Sequence, residues 1–192
     1  MRSRAGPAGR SRPPRPDGYG THVHETDADL AALQRLLDES FEASGAHMRR
    51  IITPERRIDA AALAARLTGV RLLALATSTA DGRPIVGPVD GIFYRGAFWF
   101  GSAPDSVRFR HIRARPHVSA THMEGEPFAV TVHGRAQVHD LRDPEAAGFR
   151  EALVDVYAPR YGDEWIGWAE QHPYARIDAH RIYTFVNEEE AG

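Results

Sequence analysis

Two hydrophobic periods divide the chain. Between Thr26 and Gly45 the apolar residues Leu30, Leu33, Leu36, Leu37 and Phe41 recur at the spacing of one helical face, with Thr26 ahead of Asp27 and Asp29 as a start signal and Gly45 as a stop. After Pro54 a second helix is predicted from an Asp59 cap through Leu63 and Leu67 to Gly69. From Val70 the period shortens to that of strands. VRLLALATST reads as a buried strand, Asp81-Gly82 as a hairpin turn, and PIVGPVDGIFY as a return strand interrupted at Gly87-Pro88. A glycine and a proline inside a strand mark an edge or a place where something approaches the backbone. Arg95-Gly96 turns the chain into AFWFGS, a helix is expected from Asp105 to about Arg113, and HVSATHM and FAVTVHGRAQVHD alternate as strands. Asp143-Pro144-Glu145 opens another helix, the Trp165 and Trp168 region follows, and RIDAHRIYTFV closes as a last strand.

Short turns between strands, one helix inserted mid-sheet and a strand returning after a later helix predict a mainly β, α+β architecture: a small antiparallel barrel with flanking helices and an N-terminal helical extension. The boundaries fall at 1–20 for an Arg/Pro-rich tail with little to bury, expected to be disordered, 21–69 for the N-terminal helices and 70–188 for the barrel. LLALAT and FWFG break the alternation, which implies strands covered on both faces, by a dimer partner or by a ligand.

Composition narrows the chemistry. The 192 residues are 42% hydrophobic and 26% charged, as in ordinary globular proteins, and no apolar run approaches the roughly 18 residues of a membrane span. With no cysteine there is neither disulfide nor thiolate nucleophile, and the cytoplasm is the simplest compartment. A net charge of −2 argues against a nucleic-acid coat. All 24 basic residues are arginine, so lysine Schiff-base chemistry is excluded. GxxxxGK, GxGxxG after a strand, and GxSxG are all missing.

The stretch FWFGSAPDSVRFR carries the most chemistry. A helix entrance leaves backbone N–H groups unpaired and favours anions, Ser102 and Ser106 add hydroxyls, Gly101 permits close approach, and Arg108 offers a planar fork. A plain serine cap beside solvated arginines accounts for the same residues, and Asp105 would repel an anion. The histidines show no metal-ligand spacing, and no metal site is expected; nothing marks one of them as a haem ligand either. His122 reads either as a core or interface residue or as a ring or substrate contact. Trp165 and Trp168 suit core or dimer packing, or an aromatic wall over a ligand contributed by a partner subunit.

The motifs DGRP, GPVDG, the S-V-R of Ser106 to Arg108, and RARPHVS, in this order, resemble the pyridoxamine 5′-phosphate oxidase-like superfamily, the flavin and deazaflavin split barrels. The resemblance implies a split barrel over 70–188 that binds FMN, or alternatively a deazaflavin, at the interface of a homodimer, and acts as an oxidoreductase on a small-molecule substrate. It further implies that Gly101, Ser102, Ser106, Val107 and Arg108 hold the phosphate, that backbone groups of Val86, Gly87, Val89 and Asp90 face the ring edge, and that His122 reaches the ring or substrate. Arg108, Arg110, Arg113 and Arg115 would suit the anionic tail of a deazaflavin. True pyridoxamine phosphate oxidases carry an arginine and a lysine in the strand matching PIVGPVDG; this strand has neither, which speaks against vitamin B6 oxidation. A non-enzymatic carrier of flavin or haem, and a structural or RNA-associated protein relying on its basic tail, stand as alternatives.

Overall fold

The computed structural model describes residues 18–187. Helix α1 (Asp27–Glu42) begins where Thr26 and Asp29 form a reciprocal capping box. Gly45 does not end it; Ala43 does, and Gly45 starts a further helix, α2 (Ala46–Ile51), which lacks an apolar period and was not expected from the sequence. Asp59 caps α3 (Ala60–Arg66), its carboxylate accepting from the Ala62 N–H at 2.8 Å. Most of the expected tail, residues 1–17, lies outside the described residues. Tyr19 and Gly20 are packed: the Tyr19 ring meets Tyr157 edge-on at 5.4 Å, and Gly20 N donates to Val156 O at 2.9 Å.

The six strands are β1 (Val70–Ser78), β2 (Pro84–Tyr94), β3 (Ala97–Gly101), β4 (His117–Met123), β5 (Phe128–His139) and β6 (Tyr174–Val186). They close in the order β1-β2-β3-β6-β5-β4, every pairing antiparallel, as the pattern of hairpins predicts. Phe98, Phe100, Leu73, Leu75, Phe128 and Val130 fill the interior. Phe109 and Ile112 of α4 (Val107–Ala114) join the same core, with Leu33 and Leu37 of α1 and Leu63 of α3. Buried Ser40 stitches α1 to β6: its hydroxyl donates to Leu36 O at 2.6 Å and accepts from Ile182 N at 2.9 Å. A second core lies outside β3, where Trp99 stacks on Phe149 of α5 (Ala147–Tyr161) with ring centres 4.0 Å apart. The short helix α6 (Trp165–Ala169) leans on α5 through Trp165 and Tyr157, stacked at 4.1 Å.

The interruption expected at Gly87-Pro88 is not there. β2 pairs with β1 without a break from Val70↔Ile92 to Ser78↔Pro84. It tolerates the proline because β3 pairs only with Gly91–Tyr94, so the earlier half of β2 has one free edge. The helix expected from Asp105 starts later, at Val107, because Ser106 is the cap; its hydroxyl accepts from Phe109 N at 3.3 Å.

Candidate functional site

The site begins with how β3 hands over to α4. After Gly101 the chain makes a turn in which Ser106 N donates to Ala103 O at 3.0 Å, and Ser106 then caps α4. Phe109, fully buried, anchors the first turn of that helix in the end of the barrel. This fixes Arg108 against the free edge of β2. Its Nη2 donates to Pro88 O at 2.8 Å, and its Nη1 lies 3.5 Å from Ser102 Oγ. At Gly87 an added Cβ would stand 3.3 Å from Arg108 Nη2, so a side chain there would crowd the guanidinium. Arg108 is half-buried and has no carboxylate partner among the described residues; burial pushes its pKa down. A cation held out of water with only neutral oxygens around it is set up to receive an anion.

Beside it lies a groove of about 210 Å³ that includes Val86, Gly87, Ser106, Val107 and Arg108 of the sequence-based set, with Leu75, Thr77 and Ile85. Val86 is 65% exposed and Val107 50%, so the groove has an uncovered apolar wall as well as a cationic end. Asp105 is exposed in the turn before α4 and lines neither this groove nor the cavity described next.

Other members of the set sit elsewhere. Asp90, Gly101 and Ser102 line a second cavity of about 360 Å³, walled by Tyr157, Tyr161, Trp165, Trp168 and Tyr174. Gly101 makes room for the Tyr174 ring, from which a Cβ there would stand only 2.8 Å away. The backbone groups expected to face a ring edge divide between the two sides of β2. Pro88 has no N–H for the ladder and turns its carbonyl toward Arg108, so it sits opposite Ala74 at a non-hydrogen-bonded position; Gly87 and Val89 on either side spend their backbone groups on β1. The edge that remains open belongs to Val86, Pro88 and Asp90. The Val89 side chain is in the barrel core.

His122 is not part of either cavity. Its ring is buried, Nδ1 pairs with Leu72 O at 3.0 Å, and Nε2 faces Glu124 Oε1 at 3.5 Å. Leu72 is five residues from Thr77 of the groove along β1, about 16 Å at roughly 3.3 Å per residue. Among the described residues no group of His, Asp and Glu could hold a metal ion, and no helix is long and apolar enough to cross a membrane.

Sequence reasoning missed the part of Tyr157, Tyr161, Tyr174 and His172 in the second cavity. The i, i+4 spacing of Tyr157 and Tyr161 was the available signal for a shared helix face. Burial first, and then the nearby Asp90 charge, push the pKa of both Tyr157 and Tyr174 up.

The family model for pyridoxamine 5′-phosphate oxidase matches residues 60–187. The chain belongs to that family. Among solved structures, a conserved hypothetical protein of Mycobacterium tuberculosis, Rv2991, is 21% identical, with a TM-score of 0.59 over 70% of this chain and 88% of that one. HutZ, the haem storage protein of Vibrio cholerae, is 18% identical, with a TM-score of 0.52 over 62% of this chain and 90% of that one. At these identities the likeness is one of fold. No curated protein matches the chain.

Proposed function

We propose that this member of the pyridoxamine 5′-phosphate oxidase family is an FMN-dependent oxidoreductase that works in the cytoplasm as a homodimer on a small-molecule substrate. The observation that carries the reading is Arg108: a half-buried guanidinium with no carboxylate partner among the described residues, at the capped start of a helix, beside an exposed apolar wall. The residues fit a phosphate at one end and a flat ring along the other. Arg108 and Ser106 would hold the phosphate, and Ile85 and Val107 would cover one side of the ring and keep water from it. When bound, FMN would supply the hydride chemistry. Charge-assisted hydrogen bonds contribute roughly 1.5 to 3 kcal/mol each, and micromolar binding needs about 8 kcal/mol. Arg108 and the helix start therefore account for part of the affinity and ring burial for the rest. Leu72, Val86 and Met123, exposed at 61%, 65% and 61%, leave an apolar face that a second copy would cover, closing the groove.

FMN stands ahead of a deazaflavin because Arg110, Arg113 and Arg115, offered for a longer anionic tail, do not line the groove. Arg113 Nη1 donates to Pro104 O and Arg115 Nε to Ser78 O, both at 2.9 Å. The test is an FMN titration followed by flavin fluorescence, on the wild type and on Arg108→Ala. The variant should bind about ten- to a hundredfold more weakly with an unchanged circular dichroism spectrum. Equal affinity, or a wild-type protein that takes up haem with a Soret band and ignores FMN, would overturn the reading.

A further inference from the structure

The second cavity has a composition that the phosphate groove does not share. Trp165 stacks on Tyr157 with ring centres 4.1 Å apart, Trp168 lies 6.0 Å from Trp165, and Tyr174 closes another wall. Asp90 is the carboxylate among the lining residues. In this arginine-rich chain Asp29, Asp38, Asp81, Asp140, Asp178, Glu124 and Glu170 each hold an arginine. Asp90 is exposed at the cavity and has no ion pair among the described residues. Arg108 binds Pro88 O and lines the groove instead of the cavity. Arg160 lies 5.4 Å over the Tyr161 ring and is not among the lining residues either.

Among the described residues some of the polar groups of the cavity are committed within the chain, whereas the Tyr157 and Tyr174 hydroxyls and the two indole N–H groups are not. His172 Nδ1 pairs with Trp168 O at 2.9 Å, Tyr161 OH with Tyr19 OH at 3.4 Å, and Ser102 Oγ faces Arg108 at 3.5 Å. What the walls offer is aromatic rings, two of them stacked on each other, and one carboxylate without an ion pair among the described residues. That combination favours an organic cation that brings apolar surface along with its charge.

We propose that this cavity binds a small organic cation whose charge sits on a quaternary nitrogen, with Asp90 opposite the charge and Trp165, Trp168 and Tyr157 around it. Ser102 reaches toward Arg108 of the groove, so the cation would lie next to the proposed flavin; its place as the substrate rests on the oxidoreductase reading, while its binding does not.

The test uses the flavin-free full chain and follows the fluorescence of Trp165 and Trp168. Choline is titrated against 3,3-dimethylbutan-1-ol, which has the same shape with carbon in place of the charged nitrogen. Choline should quench saturably, and the neutral alcohol should bind at least about tenfold more weakly. Asp90→Asn, which keeps the shape and removes the charge, should weaken choline by about tenfold and leave the alcohol unchanged. Trp168→Ala, at a position 56% exposed and so outside the core, should weaken choline as well. Equal binding of the two compounds, an unchanged choline affinity in Asp90→Asn, or no saturation by choline would each overturn the proposal. With no flavin in the cuvette, these results stand apart from those of the FMN titration.

Discussion

The runs FWF in β3 and LLALA in β1 look alike as sequence, and the fold treats them differently. In β3, Phe98 and Phe100 point into the barrel while Trp99 points out and is only 5% exposed, because Phe149 of α5 lies flat on it. In β1, Leu73 and Leu75 fill the interior, but Leu72 on the outer face is 61% exposed and Ala74 is exposed too. An apolar strand face thus tells that a cover is needed without telling where the cover comes from. For β3 the same chain provides it. For the face carrying Leu72, Val86 and Met123 nothing among the described residues does, and the proposed flavin groove opens along that side through Val86.

The sharpest way to break the comparison is to remove the cover from β3. Phe149 is 1% exposed and touches Trp99, Tyr94 and Tyr174, with ring centres 4.0 to 5.6 Å away. Phe149→Ala should cost about 3–5 kcal/mol by lost transfer energy and the cavity left behind, read as a lower urea midpoint. A loss below about 1 kcal/mol would mean that α5 packs on β3 without stabilising it.

A smaller effect is expected on the bare face, and it should appear in association before folding. Within one chain Leu72→Asp changes an exposed side chain, a substitution that normally alters stability by less than about 0.5 kcal/mol. If a second copy covers Leu72, the buried charge should weaken the dimer by about a hundredfold, roughly 2.7 kcal/mol. Sedimentation velocity at micromolar concentration should then give a wild-type dimer and a variant monomer with the same circular dichroism. A monomeric wild type, or a variant that stays dimeric, would remove the dimer from the reading.

The difference between the two faces also marks what was legible beforehand. The succession of strands and their antiparallel pairing, the helix caps at Thr26 and Asp59, and the approach of something to the β2 backbone follow from local pattern, since period, capping residues and turn glycines act over a few residues. Arg108 over Pro88 is that approach, although the visitor proves to be this chain's own arginine. Placement across the chain was not legible. Asp90 meets Tyr157 and Trp168 only because the barrel and α5 bring together segments more than sixty residues apart in the sequence. His122 reads as a core or interface residue or as a ring contact for the same reason: alternation puts it on the inner face of β4, and only the fold shows its ring held at Leu72 O.

The covered side has one more support, which acid should weaken while leaving the bare face alone. Asp29 ties α1 to the β2–β3 turn: its Oδ2 accepts from Thr26 N at 2.9 Å, from Thr26 Oγ1 at 2.7 Å and from Arg95 Nε at 3.0 Å. Burial by itself would raise this carboxyl, but the bonds from Thr26 and Arg95 outweigh it and hold the pKa below the ordinary carboxylate value. A depressed folded pKa contributes stability above the unfolded value, about 3.9, and the contribution is lost as the pH falls through the folded value. Asp29→Asn should therefore cost about 1 kcal/mol at pH 7, on the scale of a lost cap, and the gap to the wild type should narrow once the pH drops below about 4. The measurement is the urea midpoint of both proteins from pH 7 down to the acid limit of folding. A gap that stays constant across that range would show that the carboxylate charge at Asp29 contributes nothing, and that α1 is held on the covered side by its apolar face alone.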